Sequence, residues 1–487
     1  MTPTHIFIFT LGPVQSFIAQ ARKTQDLFAG SQLLSDLIAE GIKATLTRNG
    51  KIIFPYVENF EKLGRLRSLP NRFLAEIHKP KSELKVFGED IERQVKSEFE
   101  TIAKKTFSNI ETAEGIKLDR ELIHQTLWEK YQRQISQHLA IHWLFLPFTE
   151  NEYPEKFEEI NQLLGAIKNL RRFEPHEETG RKCSVDGERN ALFYRKTVNQ
   201  NIPNYLYDAI EINGKDLGPG EALSAVSMVK RRYTPEDQSG QRFPSTAGIA
   251  LMASLKEVNE EVCHRFEEVF DQTKISKILN KRGNIKLNGG NWATWDEQFY
   301  YEENLNSKFI PNSSQLEIAQ ECHREVRNAF AAAKQKFTKH YALIAFDADS
   351  MGEWLSGKYL AERSNLRGFQ TELSGKLMAF GQWASGFLNG SLEDQQIEKE
   401  LTSENQDEKK KEKEEFYKKQ KGRTVYAGGD DFLGFVNVAY LLPTLEKLRD
   451  KFREMVSEPM QKYTRYNTPL TFTAAVVIAH YKRRSKP

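Results

Sequence analysis

Residues Val425–Phe435 read V-Y-A-G-G-D-D-F-L-G-F, two short apolar runs separated by Gly428, Gly429 and the adjacent carboxylates Asp430 and Asp431. A Gly-Gly pair between strand-like runs predicts a tight hairpin whose backbone takes positive φ and lets a ligand approach closely. Two carboxylates at its tip repel one another unless a cation offsets them. A hard divalent ion such as Mg²⁺, its shell completed by phosphate oxygens, does so. A solvated Asp-rich turn is the competing reading of the hairpin by itself, since Gly and Asp are common turn residues.

A second acidic cluster lies upstream, where the apolar run Tyr341–Phe346 is followed by Asp347-Ala348-Asp349-Ser350-Met351-Gly352. A buried strand ending in D-x-D places Asp347 and Asp349 at its carboxyl end, where ligands of α/β sheets lie. Alone, Asp347 reads as a strand-end cap. Facing a carboxylate hairpin, it reads as part of a two-metal site that aligns an attacking hydroxyl with a triphosphate and stabilises the leaving pyrophosphate.

Hydrophobic period supplies the elements that must position these groups. A strand at 341–347, a helix at 351–388, strands at 423–427 and 432–437, a helix at 440–463 and a strand at 470–480 give the order βαββαβ, a ferredoxin-like palm. The first third repeats it: strand His5–Leu11, helices through Ala44, strands Lys51–Pro55 and Arg72–Ile77, a long helical stretch to His138, and strand Ala140–Pro147. The expected fold is therefore α+β with two palms, residues 1–150 and 336–487. The first has residues 56–71 where the second has its carboxylate hairpin.

Five ordered segments carry a specific resemblance. Gly12-Pro13-Val14-Gln15-Ser16-Phe17-Ile18 with Ala21–Ser31, Leu69-Pro70-Asn71-Arg72-Phe73, Phe243-Pro244-Ser245-Thr246-Ala247, the D-x-D-x-M-G segment and the Gly-Gly-Asp-Asp hairpin together resemble the large subunit of type III CRISPR effector complexes, most closely the type III-B form. Gly-Gly-Asp-Asp by itself also resembles turns of polymerases and of diguanylate cyclases. The resemblance implies an RNA-guided antiviral complex in which target RNA switches on synthesis of cyclic oligoadenylates from ATP. The alternative is a catalytically silent, nucleotide-binding scaffold of the same complex. Carried over, Asp347, Asp430 and Asp431 would hold Mg²⁺ or Mn²⁺ with Asp349 as helper, and Gly428, Gly429, Ala348 and Ser350 would lie against the nucleotide. Gly12, Gln15, Ser16, Gly30 and Ser31 would touch a second ATP. Structurally, these glycines read as helix openers and Ser31 as an N-cap.

Departures from the family are equally informative. Its members commonly carry a zinc ribbon of two C-x-x-C pairs, and the matching positions here are Cys183 and Asp186, then Ser224 and Ser227. Neutral hydroxyls are poor zinc ligands, so the expectation is no zinc and a degenerate ribbon region, 151–240, held by packing alone. A mostly helical linker at 241–335 would follow it. No His-Asp dipeptide of the family's nuclease domain occurs, so DNA cutting is not expected of this polypeptide. The family usually continues into a helical domain after the second palm, so the sequence reads as a shortened or truncated form.

The remaining features are less specific. Cys263-His264 and Cys322-His323 lie in helix-like sequence and read as structural. Trp292 and Trp295 read as core anchors rather than a base-stacking loop, and the charged insert 391–423 as a solvated helix or loop. The clusters Lys230-Arg231-Arg232-Tyr233 and Lys482-Arg483-Arg484 read as ordinary basic surface, with guide- or target-RNA contact the alternative. Three cysteines in 487 residues point to a reducing cytoplasm. No segment has the length of a membrane span. A net charge of +3 is low for a chain that grips nucleic acid alone, so guide-RNA and target-RNA contacts are expected to be shared with backbone, guide-handle-binding and small subunits.

Overall fold

The computed structural model describes the chain apart from residues 1–2, 57–67, 119–124, 171–179, 197–208, 215, 219, 235–242, 258–260, 262–263, 265–296, 308–309, 311, 333–336, 391–418, 429 and 483–487. The first sheet consists of β1 (Thr4–Gly12), β2 (Lys51–Phe54), β3 (Arg72–His78) and β4 (Ala140–Pro147), antiparallel in the order β2-β3-β1-β4. Helices Thr24–Thr47 and Lys81–Ser108 pack Leu37, Ile42, Ile91 and Val95 against Phe7, Phe9 and Phe73 on one face. On the other face Ile6, Ile8 and Leu74 join the core of the second half. Burial on both faces is why β1 is a continuous apolar run rather than an alternating one.

Three two-residue strands, β5 (Phe193–Tyr194), β6 (Ile210–Glu211) and β7 (Ala222–Leu223), form a small sheet in the order β6-β5-β7. Cys183, Phe193 and Val226 from this region share the apolar core of the first sheet.

The second large sheet repeats the first. Strands β8 (His340–Ala348), β9 (Gly422–Ala427), β10 (Asp431–Asn437) and β11 (Phe472–His480) are antiparallel in the order β11-β8-β10-β9. One face carries Ile344, Phe346, Phe432 and Val436 under helix Leu366–Asn389. The opposite face carries Tyr341 and Phe435, packed against residues of helix Thr246–Glu257.

Three expected helices are divided. The stretch at 351–388 breaks into Met351–Leu355 and Leu366–Asn389, with Gly357 at φ +80° making the turn. The stretch before His138 is two helices, Lys81–Ser108 and Gln125–Ser136, separated by a bridge between Glu111 and Lys117. The stretch at 440–463 is α-helical over Leu441–Phe452 and then widens into a π turn at Arg453–Ser457. Pro459, which lacks the N–H of a regular turn, follows it.

The two halves are bound together directly. Tyr153 donates to Gln370 (2.6 Å), the Tyr56 amide to Ser374 (2.7 Å), and Arg367 pairs with both Glu76 and Glu150. The Phe243–Ala247 segment is a second tie: Phe243 packs on Phe28 and Phe435, Thr24 donates to the Pro244 carbonyl, and Thr246 donates to that of Tyr481.

Candidate active site at the carboxylate hairpin

Register places the acidic residues. Asp431 begins β10 directly opposite Asp347 on β8. Opposed residues of an antiparallel pair project to the same face. Their neighbours Phe432 and Phe346 project to the other face, where the rings stack with centroids 4.9 Å apart and Phe472 stacks on Phe346 at 4.5 Å. This aromatic stack anchors the strand ends beneath the two carboxylates. Asp430 is tied in through its carbonyl, which accepts from the Ala348 amide (2.8 Å).

Like charges in a partly desolvated corner favour protonation. Burial, then Asp430 and Asp347, push the Asp431 carboxyl up to about 7, and burial with Asp347 raises Asp430. Asp349 is held differently, its two oxygens accepting from Thr471 (2.5 Å) and Thr473 (2.7 Å). Among the described residues no three His, Cys, Asp or Glu side chains close on a common point as an ion cage. The donor set, oxygen atoms on mutually repelling carboxylates, nevertheless suits a hard divalent cation.

Gly428 is needed for space rather than for positive φ, which it does not adopt. A Cβ there would stand 2.5 Å from Asp431 Oδ1. Gly429 lies outside the described residues. Ala348 is buried, whereas Ser350 is exposed in a left-handed conformation at φ 55°.

Sequence reasoning assigned no role to two neighbours. Tyr426 on β9 has its phenol pushed up to about 12 by burial and by Asp431, Asp347 and Asp430. Arg72, the first residue of β3 in the other sheet, is the cation whose charge acts on Asp430. The signal for both was their place inside the segments V-Y-A-G-G-D-D and L-P-N-R-F.

The first-sheet candidates are placed less directly. Gly12 ends β1, and Gln15 and Ser16 are exposed in a short helix, Gln15–Ala19. Leu11 bonds to Asn71 through its amide (2.9 Å), so this strand end lies beside Arg72. Gly30 is buried, and a Cβ there would meet Lys230 Cε at 2.7 Å. Ser31 lies inside helix Thr24–Thr47, which corrects the N-cap reading; the amides before that helix are capped by Asp26 instead.

The four ribbon positions do converge, as a polar node. Asp186 accepts from Ser224 (2.6 Å) and Ser227 (2.9 Å) and from the amides of Glu188 and Arg189, while Cys183 lies 3.3 Å from Ser227. These side chains satisfy one another, and a set with two neutral hydroxyls does not fit zinc. Packing alone is therefore too simple an account of this region.

The Lys230–Tyr233 cluster is not basic surface. Lys230 is 2% exposed and donates to the carbonyls of Phe17 and Gln20, closing the end of helix Gln15–Ala19. Burial pulls its amine down to about 8. Arg231 is buried between Asp26 and Glu221, and Arg232 pairs with Asp216. Cys263, Trp292, Trp295, most of the charged insert, Arg483 and Arg484 lie outside the described residues. His323 is buried with its Nε2 3.2 Å from the Tyr300 carbonyl, and His264 is exposed.

Comparison with known proteins agrees with this architecture. A family model described as Cas10/Cmr2, second palm domain, matches residues 340–485, and one described as CRISPR-associated protein Cmr2, N-terminal, matches residues 6–104. Together they cover just over half of the chain. The CRISPR system Cmr subunit Cmr2 of Pyrococcus furiosus is 24% identical over 543 aligned positions, which take in 96% of this chain and 57% of that protein. The type III-B Cmr-beta structure in its apo state superposes with a TM-score of 0.56 at 15% identity, over 98% of this chain and 65% of the other. Cmr-beta bound to cognate target RNA gives 0.54 at 15% identity, over 99% and 66%. The chain thus spans under two thirds of the length of each relative and shares their fold. With both family models in chain order on the two large sheets, the chain belongs to the Cas10/Cmr2 family of CRISPR-associated proteins.

Proposed function

We propose that this chain is the large subunit of an RNA-guided type III CRISPR effector complex and that target-RNA binding switches on its synthesis of cyclic oligoadenylates from ATP. The observation that carries the reading is the direct opposition of Asp347 and Asp431, with Asp430 beside them. Carboxylates so buried and so grouped that one keeps its proton to about pH 7 are poised for cations. Asp347, Asp430 and Asp431 would hold Mg²⁺ or Mn²⁺, which when bound neutralises triphosphate charge and orients the attacking hydroxyl. Gly428 leaves room for the Asp431 carboxylate, and the Phe346–Phe432–Phe472 stack fixes the strand ends so that little reorganisation is needed.

On this reading the βαββαβ units are ferredoxin-like palms at 1–150 and 336–487, separated by the degenerate ribbon and a helical linker. The partners are the other complex subunits with guide and target RNA, in the cytoplasm; among the described residues no helix is long and apolar enough to cross a membrane. The test is the product profile from ATP and Mg²⁺ with the assembled complex, with and without complementary target RNA, beside Asp430→Ala/Asp431→Ala. Oligoadenylates that require target RNA and vanish in the variant are expected. No product from a complex that still binds target RNA would leave a scaffold.

A further inference from the structure

The segment leading into β3 crosses to the second palm. Ser68 Oγ accepts from the Ala427 amide at 2.9 Å, one residue before the Gly428–Asp431 hairpin. Four residues later Arg72 opens β3, its register on β1 fixed opposite Thr10. The Asn71 carbonyl and side chain both bond to Leu11 (2.9 and 3.3 Å), which fixes the backbone just before it.

Arg72 is sparingly engaged for a half-buried guanidinium. Its hydrogen bond is a long one, to Asn161 Oδ1 at 3.5 Å, and among the described residues no carboxylate lies within ion-pair distance. None of its nitrogens is buried without a partner. Arg231, by contrast, is held between Asp26 and Glu221. An arginine held by one long hydrogen bond, whose charge acts on Asp430 of the carboxylate site, is a fork for an anion. A second cation, Lys168, stands nearby, held on Thr10 at 3.1 Å, and its amine feels the Arg72 charge.

We propose that Arg72 binds the polyphosphate of the nucleotide, supplied by the first palm to the carboxylate site of the second. This rests on the reading above that the site takes ATP. A planar guanidinium offers paired donors that match phosphate oxygens. The two-palm interface is then part of the active site, and the L-P-N-R-F segment is the device that aims the fork.

The experiment is equilibrium binding of Mg²⁺-ATP and of adenosine to the full chain, for the native protein, Arg72→Ala and Arg72→Lys, with thermal melts to verify folding. Arg72→Ala is expected to weaken ATP binding about 10- to 100-fold and to leave adenosine binding unchanged, with Arg72→Lys recovering part of the loss. Equal ATP affinity in Arg72→Ala would overturn the proposal, as would a native chain that holds adenosine as tightly as ATP or binds neither. Turnover by the assembled complex separates the two ideas. Absence of product alongside Arg72-dependent ATP binding sinks the catalytic reading alone, whereas normal product formation with unchanged ATP affinity in Arg72→Ala sinks the role of Arg72 alone.

Discussion

Asp347 and Asp431 are cross-strand partners on β8 and β10, two carboxylates placed opposite each other by sheet register. Sheets seldom tolerate like charges so paired. The arrangement persists because Phe346 and Phe432, the next pair in register, stack on the buried face. Stability is traded at one layer for a concentration of negative charge at the next.

The first consequence is a pH-dependent cost. The Asp431 carboxyl titrates at about 7 in the folded chain against an ordinary 3.8. The folded state therefore holds a proton that the unfolded state has already released, and stability falls as pH rises across that window. Asp431→Asn should melt higher than the native chain at pH 7.5, with the gap closing near pH 4. Mg²⁺ or Mn²⁺ at pH 7.5 should raise the native melting temperature and leave that of the variant unmoved. A pH-independent gap measured by thermal denaturation would contradict this account.

Gly428 tests the placement of the carboxylate itself. Its backbone conformation accepts alanine, yet the added Cβ would meet Asp431 Oδ1. Gly428→Ala should turn that carboxylate aside and weaken divalent-ion binding about tenfold, as changes beside metal ligands do. Isothermal titration with Mn²⁺ reads the effect, and a melting temperature close to native would separate it from misfolding.

Arg231 anchors the middle region to the first palm through four hydrogen bonds of 2.5–3.1 Å to Asp26 and Glu221. Removing it leaves two buried carboxylates without their guanidinium, a loss of about 3–5 kcal/mol. Arg231→Ala should lower the urea midpoint accordingly, and Arg231→Lys should recover little, because an ammonium cannot fork to both carboxylates. A midpoint within error of native would refute the anchor.

The polar node at Asp186 is close enough to a ligand cage to be converted. Asp186→Cys, Ser224→Cys and Ser227→Cys, joining the native Cys183, should create a tetrahedral thiolate site. The triple variant is expected to bind one zinc per chain, measured by elemental analysis, and to melt higher with zinc than with chelator. Failure to take up zinc would mean that the backbone around the node is no longer ribbon-like.

Much of this molecule was legible in its sequence. Local pattern determined the strands, their order and the duplication, because apolar runs such as His5–Leu11 and Tyr341–Phe346 specify buried strands whatever surrounds them. The meeting of Asp347 and Asp431 at neighbouring strand ends was legible because D-x-D and G-G-D-D each sit at the end of such a run. Helix breaks were harder to see, since Gly357 and Pro459 act through one turn each inside otherwise helical composition.

Tertiary structure alone decided what distant residues do to one another. Lys230 and Arg231 have the composition of a surface patch, yet they are buried because Asp26, Glu221 and the carbonyls near Phe17 converge on them from far along the chain. Gly30 resembles a ligand-facing glycine and serves to pass the Lys230 side chain. Arg72 has no carboxylate partner along its own strand, and its charge acts on Asp430 across the palm interface. A residue's periodic neighbours are written beside it, whereas its electrostatic partners are set by the packing of two sheets, which no local pattern encodes.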